Sequence, residues 1–248
     1  MSESSAYPLF IFAVSLAAQW FAAFLGTLLR RWKRPPGHDI DIIRAATITL
    51  LALIIGFSFS MAVTRYDQRQ NYEEAEANAI STTFLRADLL PGDDAAHLRD
   101  LLKKYLDLRI AFYEANDARQ IAKITADTTS TQNALWQAIL PAANAHPTQI
   151  TALAVTGVND VLDAQGSTQA AWLNRLPAGV WAIMGLIALA TNVLIGVSER
   201  NKGVLLRLIL PVILSTSFDI DSPRGGLVPT LPHNLVAVRP ALGTERQN

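Results

Sequence analysis

The stretch IIGFSFSMAVTRYDQRQNYEEAEANAI, Ile54 to Ile80, decides the fold. Its first eleven residues carry no charge, charges of both signs accumulate from Arg65 onward, and no proline or glycine marks the crossing. The absence of a breaker predicts one helix that leaves a bilayer and continues into water, unbroken from Ala45 to about Leu90.

Working outward, the chain has further segments of the same apolar kind. Tyr7 to Leu29, Ala45 to Thr64 and Pro177 to Ser198 are uncharged over 23, 20 and 22 residues. At about 1.5 Å per residue each is long enough for a hydrocarbon core of about 30 Å. The first is too long for a signal-peptide core and follows an acidic MSESSA, so it is expected to stay as a span. Gly203 to Phe218 is shorter, with Arg207 one turn in and Pro211 as a kink, and is expected as a fourth span.

Composition agrees, because half of the 248 residues are hydrophobic, 17% are charged, and the mean hydropathy is +0.23. Basic and acidic residues balance at 21 each, which removes the electrostatic argument for a nucleic-acid partner. The lack of cysteine excludes disulfides and thiolate chemistry.

The expected fold class is all-α, a polytopic membrane protein with four transmembrane helices and a helical insert between helices 2 and 3. Its parts are 1–64 with two membrane helices, 65–176 as a soluble helical domain whose stem continues helix 2, 177–218 with two more membrane helices, and 219–248 as a loose tail. Within the insert Leu98, Leu101, Leu102, Tyr105, Leu108 and Phe112 fall at helical spacing. Breaks at Pro91-Gly92 and His146-Pro147 divide it, and Asp117–Ala145 and Thr148–Leu173 read as two further helices.

Basic residues crowd the short loops, with Arg30, Arg31, Lys33, Arg34 and Arg44 in the first and Arg200 and Lys202 in the other. The positive-inside rule puts both loops in the cytoplasm of a bacterial inner membrane and the insert on the periplasmic side. Along the second span Ala52, Gly56 and Ser60 place a small residue at every fourth position, a helix-packing pattern. Thr49, Leu53 and Phe57 form the neighbouring ridge, suited to the neck of an oligomeric pore that closes by dewetting.

The layout and residues Gly56, Phe57, Thr64, Arg65 and Tyr66 resemble the second membrane helix and stem of the bestrophins. EAEANAISTTFLRADLLP, LLKKYLDLR and FDIDSPRGGL resemble the bacterial bestrophin-like domain family more closely. Bestrophins are pentameric ion channels, so the resemblance implies a homo-oligomer passing inorganic ions, with a neck at Thr49, Leu53 and Phe57 and vestibule charges among Arg65, Arg69, Glu73 and Glu76. Thr49 departs from the apolar residue usual in the family and would make the neck shorter or wetter. Bestrophins keep the insert in the cytoplasm, opposite to the side that the loop charges predict here. Asp219 and Asp221 stand where animal bestrophins have an acidic calcium-binding turn, which makes them a possible cation site. A helix-ending turn with local pairing is the simpler reading of the same residues, because two carboxylates supply few of the 6–8 oxygens calcium takes.

No enzyme motif is present: the four histidines lie apart, and no phosphate-cradling loop or nucleophile elbow occurs. No cofactor is expected. The other reading is a non-conducting sensor or scaffold whose helical domain binds a partner; a transporter would call for a repeat or paired broken helices. Asn192, inside the third span, needs a polar partner on a neighbouring helix.

Overall fold

A computed structural model describes residues 3–32, 38–198, 204–224 and 227–243. They form α1 (Glu3–Trp32), α2 (His38–Arg86), a 3-10 turn (Ala87–Leu89), α3 (Gly92–Glu114), α4 (Ala118–Ala145), α5 (Gln149–Leu173), α6 (Ala178–Ser198), α7 (Val204–Asp221) and α8 (His233–Gly243), with no strand among the described residues. The protein is all-helical.

The chain divides into two units, Met1–Tyr66 with Arg175–Pro229, and Asp67–Asn174 with Thr230–Asn248. The first, termed the membrane unit, holds the uncharged stretches of α1, α2 and α6. Three segments among the described residues are long and apolar enough to span a bilayer: Leu9–Arg31, Ile42–Leu89 and Gln149–Val197, the last carrying its uncharged part in α6. The expected fourth span corresponds to α7, which is not in that set. Its 18 residues reach about 27 Å at the helical rise, and aspartates occupy its last turn. In this unit α1 packs on α6 and α7, while Leu51 and Ile55 of α2 join Met184, Ala188 and Leu210 in a small apolar core.

The second unit has the larger core, built from Ile80, Leu98, Leu102, Tyr105, Leu106, Leu135, Ile139, Val158 and Val161. Of the stripe anticipated on α3, Leu98, Leu102, Tyr105 and Phe112 are buried, while Leu101 and Leu108 are half-buried. Local chemistry sets the ends of the next two helices. The Asp117 carboxylate accepts the Gln120 N–H at 3.0 Å, and Thr148 Oγ1 accepts the Thr151 N–H at 3.1 Å, each satisfying a donor that the first turn leaves free.

The tail departs from expectation. Residues up to Pro229 belong with the membrane unit, and from Thr230 the chain enters the helical unit, where α8 buries Leu235 and Leu242. The segment that composition marks as loose closes the helical core. Lys33, Arg34, Arg200 and Lys202, on which the sidedness argument rests, lie outside the described residues.

Candidate functional site

Helix α2 has one buried stripe along most of its length. Leu51, Ile55, Ser58, Ala62, Arg65, Arg69, Glu73, Glu76, Ile80 and Thr83 follow one another at steps of three and four, all of them buried except the half-buried Arg65, and Ala87 continues the row into the 3-10 turn. Steps of that kind keep one face of a helix toward its partners. In the membrane unit the stripe is apolar or small. From Arg65 it becomes charged, and every charge has a defined use.

Arg65 Nη1 lies 3.5 Å from Asp221 Oδ1. Arg69 donates to the carbonyls of Ala171 and Asn174 at 3.4 Å, at the C-terminus of α5, where the helix dipole favours a cation. Glu73 does the converse at the start of α8, accepting the Leu235 N–H at 2.8 Å and Asn234 Nδ2 at 2.6 Å. Glu76 forms the centre of the group: Arg109 binds it through Nε at 2.5 Å and Nη2 at 3.3 Å, and Tyr105 and Thr168 donate at 3.1 Å each. Full hydrogen bonding is what allows a carboxylate and a guanidinium to be buried together. Burial, the largest single influence, would lower the Arg109 guanidinium, but the Glu76 charge and hydrogen bonds together with the Tyr105 and Tyr113 phenols outweigh it and hold the group more firmly protonated than usual. The Tyr105 hydroxyl is pushed well above the ordinary phenol range, by burial first and then by Glu76.

These contacts correct the expected role of Arg69, Glu73 and Glu76. At 0% exposure they hold α3, α5 and α8 to the stem, and cannot line a vestibule. The charged residues that α2 leaves exposed in this region are Asp67 and Glu74, on a face with Asn71 and Asn78.

The opposite face of the membrane half is bare. Thr49 is exposed, Leu53 is 54% and Phe57 64% exposed, and Ala52, Gly56 and Ser60 are exposed as well. A Cβ on Gly56 would meet nothing within 4 Å. The small-residue pattern of α2 is therefore not used for packing within the chain. That job falls to Gly26 of α1 and Gly196 of α6, where the two backbones approach closely. Thr49 Oγ1 donates to the Ala45 carbonyl at 3.0 Å, so its own helix satisfies the hydroxyl that was expected to wet the ridge. Asn192 finds its partner across the same helix pair, with Nδ2 donating to Gln19 Oε1 at 3.3 Å and to the Ala188 carbonyl at 2.9 Å.

At the end of α7, Asp219 accepts the Leu227 N–H at 3.0 and 2.9 Å on its two oxygens and the Val228 N–H at 3.1 Å. Asp221 accepts the Leu176 N–H at 3.2 and 3.1 Å. No group of three or more metal-ligating side chains occurs among the described residues.

The Bestrophin-like domain family matches residues 9–218. The chain belongs to the bestrophin-like family. Crystal structures of a bacterial bestrophin homologue from Klebsiella pneumoniae share the fold. A tryptophan-substituted variant gives a TM-score of 0.72 at 11% identity over 98% of this chain and 97% of that one. A tyrosine-substituted variant gives 0.66 at 12% identity over 92% and 96%. The form phased on zinc gives 0.62 at 13% identity over 94% and 95%. No curated protein matches in sequence.

Within this bestrophin-like chain, a sequence signal for the buried charges did exist. Extending the spacing of Leu51, Ile55, Ser58 and Ala62 past the membrane leads directly onto Arg65, Arg69, Glu73 and Glu76. Their charge made a solvated face the natural reading, because ions are rarely buried without partners, and the partners lie up to 162 residues away.

Proposed function

We propose that this bestrophin-like protein is the subunit of a homo-oligomeric ion channel, with α2 lining the pore and a neck at Thr49, Leu53 and Phe57. The observation that carries the reading is the bare face of α2. A membrane helix that buries one stripe inside its own subunit leaves an apolar ridge and a flanking small-residue ridge uncovered. Around a central axis the large side chains would close an apolar constriction that gates by dewetting, and Ala52, Gly56 and Ser60 would admit a neighbouring copy. Five copies follow the bestrophin resemblance, and α7 is the fourth span of each. The basic loops favour a cytoplasmic position in a bacterial inner membrane.

The exposed charged residues that α2 offers to a vestibule are Asp67 and Glu74, in place of the buried Arg69, Glu73 and Glu76. Asp219 and Asp221 serve as anchors of the turn after α7.

The test is the conductance of purified protein in a planar bilayer under an asymmetric salt gradient, with Phe57→Ala alongside the parent. Discrete currents that shift with the gradient, and a larger leak in the variant, are expected. Silence from both proteins, with oligomer shown to be inserted, would overturn the channel reading in favour of a non-conducting scaffold.

A further inference from the structure

The likeness to animal bestrophins raises the question of a divalent cation at the acidic turn after α7. We propose that in this chain the turn is a clasp closed by the protein's own N–H groups, which divalent cations neither occupy nor control. This inference does not rest on the channel reading.

All four carboxylate oxygens of the turn are already engaged. Leu227 N–H reaches both oxygens of Asp219, and Val228 N–H adds a second bond to Oδ2. Leu176 N–H reaches both oxygens of Asp221, and Arg65 lies beside Oδ1. The two aspartates are only 3% and 5% exposed. The positive ends of three backbone dipoles and a guanidinium thus point at the oxygens a cation would need. The Ser222 hydroxyl is also committed, since it donates to the Arg224 carbonyl at 3.3 Å. Calcium takes 6–8 oxygen ligands, and an N–H aimed at a carboxylate blocks the lone pairs it would use. Binding would require opening buried backbone hydrogen bonds for a site that still lacks most of its ligands.

The donors take a place that a bound cation could fill elsewhere: they satisfy the oxygens of buried carboxylates and fix the chain around them. Asp219 grips the segment that follows α7, and Asp221 grips the backbone just before α6. Closure by covalently attached donors is permanent, so the turn holds its shape at any calcium concentration.

The experiment is thermal unfolding of the purified full-length protein in detergent, with calcium or magnesium and with chelator, for the parent and Asp219→Asn. Calorimetric titration of the parent with calcium is run beside it. The expected result is a parent Tm unchanged by cation or chelator, no saturable heat, and an Asp219→Asn Tm lowered equally in both media. A calcium-dependent rise in the parent Tm that Asp219→Asn abolishes would overturn the proposal. Where the variant fails to fold, the parent titration decides: saturable calcium binding overturns the clasp and its absence supports it. Neither readout depends on conduction.

Discussion

Gly26 and Gly196 meet across α1 and α6 with no side chain between them: a Cβ placed on Gly26 would lie 2.9 Å from the Gly196 Cα, and one on Gly196 would lie 3.0 Å from the Gly26 Cα. Each would also strike a backbone carbonyl of the facing helix, of Val193 or of Ala23. Backbone cannot rotate away as a side chain can, so Gly26→Ala or Gly196→Ala must separate the helices and weaken the Gln19–Asn192 bond beside them. The cost expected is about 3 kcal/mol, the upper part of the usual overpacking range. Gly56→Ala, with open space around it, should leave the single chain unaffected. Thermal unfolding in a detergent that holds the chain as a monomer checks the contrast, and equal shifts at Gly26 and Gly56 would refute it.

The Glu76–Arg109 pair gives a second prediction. Replacing Arg109 by Met leaves a buried carboxylate facing only the Tyr105 and Thr168 hydroxyls, and should destabilise by about 3–5 kcal/mol. Replacing both partners, as Glu76→Gln with Arg109→Met, removes both charges and should cost clearly less than the sum of the single changes. A double-mutant cycle on unfolding free energy reads that coupling. Additive costs would mean that the pair is not a unit.

A pH dependence follows from the same cluster. Burial, and then the Glu76 charge, raise the Tyr105 hydroxyl well above its ordinary value, and Tyr113 is raised by the same two causes in the same order. A phenol whose folded pKa is raised gives stability that is fully present below the unfolded value near 10 and is lost as pH climbs through the folded value. Stability should therefore be insensitive to these groups below about pH 10, and above it should fall by about 1.4 kcal/mol per pH unit for each such tyrosine. Tyrosinate absorbance from these residues should appear only with unfolding. Ionisation of both at constant helicity would contradict the burial.

How much of this was legible in the sequence depended on whether a residue's partner was local. Asp117 and Thr148 cap helices whose first turns follow within three residues, so the ends of α4 and α5 could be read. The unbroken passage of α2 out of the membrane could be read as well, since it required only the absence of a breaker. The roles of Glu73 and Arg69 could not. One caps α8 and the other meets the end of α5, contacts made across 162 and 102 residues. Their charges sit on the packing stripe, where residue type and register give opposite answers. The same distance hid α8, because Pro229, Pro232 and Pro240 signal a loose end, while Leu235 and Leu242 are buried only once the stem is there to receive them.

The burial of Arg69, Glu73 and Glu76 bears directly on ion preference under the channel reading. Counting all charges on the stem gives mixed signs and no preference, but Arg69 is hidden and Arg65 and Arg86 lie beside Asp221 and Asp160. Asp67 and Glu74 are exposed on α2. Repeated around an axis, they would form acidic rings that concentrate cations at the entrance, an effect that weakens as salt shortens the screening length to about 8 Å at physiological ionic strength. The expected outcome is a reversal potential on the cation side under a salt gradient, displaced toward the anion side by Glu74→Lys and less so at high salt. The parallel substitution Glu73→Gln, at a buried helix cap, should lower stability and leave the reversal potential in place. A shift from Glu73→Gln as large as that from Glu74→Lys would mean that the buried stripe, rather than the exposed face, sets the field that the ions meet.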